Sequence, residues 1–371
     1  MPFEVPSSWA WTTLGEIFTL QAGKNITAKD IYTEKSDEYK YPCFGGNGIR
    51  GYVAISNKIG EYPIIGRQGA LCGNINLAHG SFYATEHAVV VERYCDTDLM
   101  WVYYTLIALN LNQYATATAQ PGLAVNVIND VAIPLPPLNE QQRISKSIMI
   151  LFSFLEAIEC EKLYLKTAIS QTKTKVLDLA IHGRLVPQDP TDEPTSELLK
   201  RINPRAEIAC DNGHYQKLPK GWCETTLKHV ITIKSGHPIN VRNCLQGHYP
   251  IYGGNGITGY TVNYNIKEPT IVIGRVGFYC GSVYLVKEKA WVSDNAFTIT
   301  ILKDIFYKKY LYYLIQFLKL RKYSNSTAQP VISGKTIYPI HVIIPPINEQ
   351  HRIVSKIEEI FAQLDAIEAS L

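Results

Sequence analysis

The sequence predicts a mixed α/β protein: two repeated globular domains separated by long helices that pair as an antiparallel coiled coil about a pseudo-twofold axis. Three observations predict this. A glycine-rich stretch, YPCFGGNGIRGY (41–52), returns almost unchanged as YPIYGGNGITGY (249–260). Around each copy, short β-like runs cut by Gly and Pro give way to one apolar helical segment. After each copy comes a stretch whose apolar residues step by four and three, the period of a helical seam.

The repeat begins at VPSSWAWTTLGEI (5–17), which matches LPKGWCETTLKHV (218–230) at an offset of 213. Gly23 and Gly236 keep that offset, but Pro42 and Pro250 are 208 apart, so the first copy holds five extra residues in a variable loop. IIGRQGALCG (64–73) matches VIGRVGFYCG (272–281), and TEHA (85–88) matches SDNA (293–296), still at 208. TAQP (118–121 and 327–330) and PPLNEQQRI (136–144) against PPINEQHRI (345–353) stand at 209. The β-like runs are IIG and AVVVE, then TIVIG and AFTITIL. The helical segments are DLMWVYYTLIALNLNQY and FYKKYLYYLIQFLKLRKY. The GGNG tetrads supply what a tight hairpin or bulge needs where φ must be positive.

Asn139 and Asn348 follow the Pro-Pro pairs where an N-cap belongs, and Gln142 stands as the third residue of a capping box. The first seam runs through Ile144, Ile148, Leu151, Leu155, Ile158, Lys162, Leu165, Ile169, Thr172, Val176 and Leu179, nine of the eleven being apolar. Gly183 is its stop signal, giving a helix of about 65 Å at 1.5 Å per residue. The second seam runs through Ile353, Ile357, Ile360, Leu364, Ile367 and Leu371. It shows about half the length of the first and reads as truncated. Two such faces cover one another, and either the second helix stops early or what is left of the longer face is covered by a partner protein. The expected organisation is a first recognition domain (1–138), a central helix (139–183), a linker (184–217), a second domain (218–347) and a distal helix (348–371).

Net charge is only +3, but residues 1–140 carry 8 Lys/Arg against 13 Asp/Glu, whereas residues 218–347 carry 15 against 5. A basic excess of that size points to an anionic partner, nucleic acid first. The eight cysteines form no C-x-x-C pair and no cluster at zinc spacing, so free thiols are expected, with Cys72 and Cys280 as small buried residues. No metal site is expected. No run of eighteen apolar residues and no leader-like N-terminus is present, so neither a membrane span nor a signal peptide is expected, and the compartment is read as cytoplasmic.

Catalytic motifs are missing. FGGNG (44–48) matches a cofactor-binding loop poorly, since no apolar strand leads directly into it and no acidic residue follows at ribose distance. Leu135 and Ile344 stand where an amino-methyltransferase loop needs a polar residue. There is no phosphate-binding G-x-x-x-x-G-K-[ST], no G-x-S-x-G and no H-E-x-x-H. Glu86 and His87 become Asp294 and Asn295 in the second copy, which removes the titrating imidazole.

Taken together, the Trp-start, GGNG…GY, IIGR-x-G, TAQP and PP-[LI]-NEQ motifs in two copies, with a seam helix after each, resemble the specificity subunit of type I restriction-modification systems. The stretch LDLAIHGRLVPQDPTDEPTSELL (177–199) resembles that family's exit from its central helix. The resemblance spans residues 5–371. It implies a non-catalytic subunit whose two target recognition domains each read one half of a bipartite site in double-stranded DNA. It implies helices that space the domains and dock methyltransferase subunits and, through them, a restriction and translocase subunit. It further implies that this chain binds no cofactor of its own, S-adenosylmethionine, ATP and Mg being held by the partners. A coiled-coil adaptor that does not read DNA is the alternative.

Base readout draws on exposed Arg, Lys, Asn and Gln. Residues that differ between copies are the candidates for discrimination: Lys24, Asn25, Arg50 and Gln68 in the first domain, His237, Asn240, Arg242, Thr258 and Lys335 in the second. Arg67 and Arg275, shared by both G-R-x-G loops, are candidates for phosphate contact or internal pairing. Gln120 and Gln329 have the same standing. Lys308, Lys309, Lys319, Arg321 and Lys322 are read as a solvated helix face, with phosphate positioning second.

Overall fold

A computed structural model of the chain describes residues 3–69, 71–116, 121–209, 218–240, 247–324 and 330–371. The chain divides into two compact units, Met1–Glu159 and Cys160–Leu371. Gln120, Arg242 and Gln329, and most of both TAQP motifs, lie outside the described residues.

The first unit opens with β1 (Ala10–Thr13), α1 (Leu14–Ile17) and β2 (Phe18–Ala22). The hairpin β3 (Tyr41–Gly45) and β4 (Gly48–Val53) is followed by β5 (Lys58–Gly66), β6 (Ile75–Ala84) and β7 (Ala88–Arg93). Then come α2 (Leu99–Ala108), α3 (Val125–Asn129), β8 (Ala132–Leu135) and α4 (Leu138–Ile181). Six strands form one sheet in the order β2-β7-β5-β6-β3-β4, with β3 and β6 parallel and the other pairs antiparallel. β1 pairs with β8. Apolar alternation decides the core: Phe18, Leu20, Ile65, Val89 and Val91 point to the face covered by Trp101, Val102 and Leu106 of α2.

The second unit repeats the plan. α5 (Thr195–Ile202) precedes β9 (Cys223–Thr226), β10 (Ile231–Ser235), β11 (Tyr249–Gly253), β12 (Gly256–Thr261) and β13 (Thr270–Gly274). β14 (Val283–Val286), β15 (Trp291–Val292), β16 (Ala296–Ile301), α6 (Lys308–Leu318), α7 (Gly334–Ile337), β17 (His341–Ile344) and α8 (Ile347–Ala369) complete it. Here the counterpart of the continuous β6 is broken into β14 and β15. The sheet therefore separates into β10-β16-β13-β14 and β12-β11-β15.

The long helices are capped two residues earlier than the sequence suggests. Pro346 is the N-cap of α8, and the Glu140 and Gln141 N–H groups bond to the Pro137 carbonyl, so Asn139 and Asn348 are not caps. A proline fits there because the first helical N–H groups have no intrahelical partner and its φ is already helical. The working amide is Gln141, not Gln142. Its side chain accepts the Asp98 N–H at 2.9 Å and donates to the Pro136 carbonyl at 2.9 Å. At its other end α4 closes as expected: Gly183 takes φ +66 and the Arg184 N–H bonds to the Leu179 carbonyl.

Within the second unit α8 runs antiparallel to the last turns of α4. Lys162 meets the Leu371 carbonyl, and eleven residues on Lys173 meets Asp365 at 2.6 Å and Glu368 at 3.1 Å. Ile169, Val176, Ile353 and Ile357 are buried, and Ile360 packs against the cluster that holds the last three. Leu165 and Ile367 sit at the open end of the pairing and are exposed, while Leu179 and Leu364 are half-buried. In the first unit Ile144 and Ile148 are half-buried, but Leu151, Leu155 and Ile158 are exposed, as are Met149, Ile150, Phe152 and Phe154. The expected linker is also more than a connection. Leu199 is fully buried, and Leu198, Ile202, Ala206 and Ile208 pack on the core of the second unit.

Candidate nucleic-acid interface

Each unit gathers the repeated motifs on one rim. In the first, the β3–β4 tip (Gly45–Gly48), the Arg67–Gln68 loop, the Thr85–His87 loop and the residues after β2 are joined by backbone bonds. Thr85 N–H reaches the Phe44 carbonyl (3.0 Å), Arg67 N–H the His87 carbonyl (2.8 Å) and Lys24 N–H the Ala84 carbonyl (3.0 Å). The second unit repeats them: Ser293 to Tyr252 (2.9 Å), Arg275 to Asn295 (2.9 Å) and His237 to Val292 (3.0 Å). A strand does lead into each GGNG tetrad, contrary to the expectation that none would. It escapes a sequence reading because only two of its side chains are buried in each copy.

The repeated glycines follow from this backbone proximity. A Cβ at Gly66 would lie 2.0 Å from the Gly46 carbonyl oxygen, and at Gly274 2.3 Å from that of Gly254. Gly48 and Gly256 take φ +87 and +78, the left-handed conformation that closes both hairpins. The scaffold is thus built from backbone contact, which leaves side chains free to differ. Cys43 fills the base of the first hairpin, and burial pushes its thiol up to about 11; Cys72 and Cys280 are likewise buried.

The candidates separate into two groups. Arg67 and Arg275 pair internally: Arg67 Nε donates to the Leu123 carbonyl at 3.2 Å, and Arg275 reaches the Asp294 carbonyl at 3.4 Å while stacking over Phe297 at 5.4 Å. By contrast Lys24, Asn25, Arg50, Gln68, His237, Asn240, Thr258 and Lys335 are exposed. Arg50 lays its stem along Gly45, where a Cβ would be 2.3 Å from its Cδ. The smaller Thr258 takes that place in the second unit and bonds to the Ile251 carbonyl at 3.3 Å. The carbonyls of Asn25 and His237 accept from Tyr83 and Trp291, both at 3.1 Å, so these residues hold their loops as well as facing outward. Lys335 is the second residue of α7, three residues beyond Ile332, whose N–H bonds to the Arg275 carbonyl. Glu86 and His87 are partly exposed and contact each other at 3.2 Å, a local pair on the same rim.

Other rim residues escaped the sequence reading. Asn47 and Asn255 are exposed at the two hairpin tips. Phe278 is exposed and carries Arg321 stacked at 4.6 Å, with Tyr279 edge-on at 5.1 Å. The signal was present in the self-alignment, where Phe278 and Tyr279 replace Ala70 and Leu71. Of the helix lysines, Lys308 is held by the Pro269 carbonyl and Lys309 by Glu358 at 2.7 Å. Among the described residues no group of His, Cys, Asp or Glu is placed to hold a metal ion, and no helix is long and apolar enough to cross a membrane.

Comparison with known proteins gives a consistent picture. The model of the type I restriction modification DNA specificity domain matches residues 6–171 and 219–371. The specificity subunit of the type I restriction enzyme EcoprrI from Escherichia coli is 44% identical over 167 residues, a match that covers 45% of this chain and 41% of that protein. The EcoDI specificity subunit, also from Escherichia coli, is 22% identical over 396 aligned residues, covering 98% of this chain and 84% of that protein. A chain from a structural study of complex assembly in the type I R-M system shares the fold, with a TM-score of 0.64 at 17% identity over 100% of this chain and 94% of that one.

Proposed function

This chain belongs to the family of type I restriction modification DNA specificity domains, and from that premise we propose that each of its two units reads one half of a bipartite site in double-stranded DNA. The observation that carries the reading is the pair of rims: one backbone scaffold, repeated contact for contact, under side chains that differ. Two unlike half-sites require two such surfaces. Exposed Arg, Asn and Gln side chains are the groups that discriminate bases, while Arg67 and Arg275 keep the scaffold in place. The basic second unit draws phosphates to itself. The acidic first unit relies on a partner for much of its backbone contact.

That partner is a methyltransferase subunit, seated on the apolar side chains that α4 exposes from Met149 to Ile158 and carrying the S-adenosylmethionine. A restriction and translocase subunit bound through it holds ATP and Mg. The chain itself performs recognition, not catalysis, in the cytoplasm where the host DNA lies. The test is co-expression with a methyltransferase subunit and single-molecule mapping of modified adenines. A split motif with a fixed gap is the expected result; a stable complex that modifies nothing would favour an adaptor without DNA readout.

A further inference from the structure

Both units build one turn from the same backbone and give it different side chains. In the second unit the turn joins β13 to β14: the Cys280 N–H bonds to the Gly277 carbonyl at 3.0 Å, the Gly281 N–H to the Gly274 carbonyl at 2.8 Å and the Gly277 N–H to the Pro330 carbonyl at 3.0 Å. In the first unit the matching bonds run from Cys72 to Gly69 (2.9 Å), Gly73 to Gly66 (2.7 Å) and Gly69 to Pro121 (3.0 Å). A Cβ at Gly281 would lie 2.5 Å from the Arg321 nitrogen, and one at Gly73 2.4 Å from the Asn112 nitrogen, so each turn is pressed on the backbone that follows its helix. That backbone is alike too, with Lys319 and Asn110 at φ +47 and +45.

The side chains at these positions change as a set. Offsets of 208 and 209 put Phe278 and Tyr279 where the first unit has Ala70 and Leu71, and Lys319, Arg321 and Lys322 where it has Asn110, Asn112 and Gln113. The second unit thus carries two rings and three cations that the shared backbone does not call for. Phe278 is 67% exposed although Cys280, two residues on, is buried, so the anchored turn holds the ring out in solvent. The Arg321 guanidinium lies over that ring at 4.6 Å, and Tyr279 meets it edge-on at 5.1 Å. Lys319, Arg321 and Lys322 are exposed around it. A Cβ at Gly254 would lie 2.6 Å from the Val276 carbonyl oxygen, which places the turn beside the hairpin tip on the rim.

A phenylalanine has no donor or acceptor with which to read a base edge. It offers a flat apolar face, and duplex DNA offers a matching face only where a base step is opened. Cations around such a ring hold the phosphates on either side of the opened step. We propose that Phe278, braced by Arg321 and Tyr279, is a wedge that unstacks one base step in the half-site bound by the second unit, and that the first unit has no counterpart. The inference rests on the reading of the second unit as a DNA reader and adds selection by deformability: a pyrimidine–purine step, which opens most easily, belongs at that place. It is separate from the flipping of a target base by a methyltransferase, an event that each half-site undergoes whatever stands at position 278.

The test uses the full chain in complex with a methyltransferase subunit, on duplexes that carry the mapped split motif with 2-aminopurine at one position at a time. The second unit's half is the one that changes when residues 218–347 are exchanged. Fluorescence should rise at the flipped base of each half and, in the second unit's half alone, at one further step. Phe278→Ala should lose that further signal and weaken binding about tenfold, with the flipped-base signals and the melting temperature as in the parent; Phe278→Trp should keep it. No further step in that half, or one that persists in Phe278→Ala, would overturn the wedge while the mapped motif upheld the reading of DNA. A Phe278→Ala chain that sheds the methyltransferase subunit on gel filtration would make the platform a protein contact, which overturns the wedge as well. A parent that modifies no split motif would sink the reading and the wedge together.

Discussion

The side-chain oxygen of Gln350 accepts the Tyr307 N–H at 2.8 Å, joining the first turn of α8 to the first turn of α6. Its amide nitrogen donates to the Ile305 and Pro345 carbonyls, both at 3.0 Å. With Gln141 and Asp98 making the matching bond in the first unit, the NEQ motif reads as a clasp between each domain and the helix that leaves it. Gln350→Ala strands one donor and two acceptors in the core. It should cost about 2–4 kcal/mol, given roughly 1–3 kcal/mol for a buried group left unsatisfied. Denaturant unfolding checks this, and a loss under 1 kcal/mol would mean that the clasp is dispensable.

The rim scaffold should not accept side chains where backbones meet. Gly274→Ala places a methyl group 2.3 Å from the Gly254 carbonyl oxygen, so the hairpin has to move. Stability should fall and the half of the motif read by the second unit should be lost, with the first half intact. Gly277→Ala has open space around its Cβ but a φ of +87, so its milder penalty, about 1 kcal/mol, separates conformational strain from collision.

Arg50 and Arg67 should behave differently. Arg50→Ala removes an exposed donor and should relax recognition at one position by about 1–3 kcal/mol with stability unchanged. Arg67→Ala breaks the bond to the Leu123 carbonyl and should lower stability without shifting the base preference. Comparing the modified motif with thermal melts for both variants decides the assignment, and an Arg67 variant that changes the motif at normal stability would reverse it.

Burial holds the Glu349 carboxyl above its ordinary value, against the opposing pull of Trp222, Gln188 and Arg352. The folded state therefore holds this proton more tightly than the unfolded chain does. Raising the pH from about 4.3, the unfolded value, through the raised folded value costs stability, and the cost is complete above it. Glu349→Gln cannot ionise, so relative to the parent it should gain stability between pH 4 and pH 7. A difference that stays constant across that range would mean that Arg352 and Trp222 fully offset the burial.

Self-alignment made the architecture legible because glycines needed for close backbone approach, such as Gly66 and Gly274, cannot drift. The four-three seam was legible for the same reason: Val176, Ile353 and Ile357 must stay apolar to share one buried cluster. What escaped was set by distant partners. Nothing local marks Gln141 over Gln142 as the clasp, since the N–H that donates to it, that of Asp98, lies 43 residues away. Residues 184–209 looked like a linker because Glu349 and Arg352, which bond to Gln188 and Asp192, come 161 and 160 residues after them. Rim residues that share a position in both copies, such as Asn47 and Asn255, carry no mark of discrimination in a self-alignment, where only differences between the copies signal it.

The most direct measurement exchanges residues 218–347 for the equivalent domain of a relative and maps modified adenines for parent and chimera in the same host. Two independent readers on one repeated scaffold require that one half of the split motif change while the other half and the gap stay as they were. A chimera that changes both halves, or leaves both unchanged, would contradict the assignment of one reader to each unit.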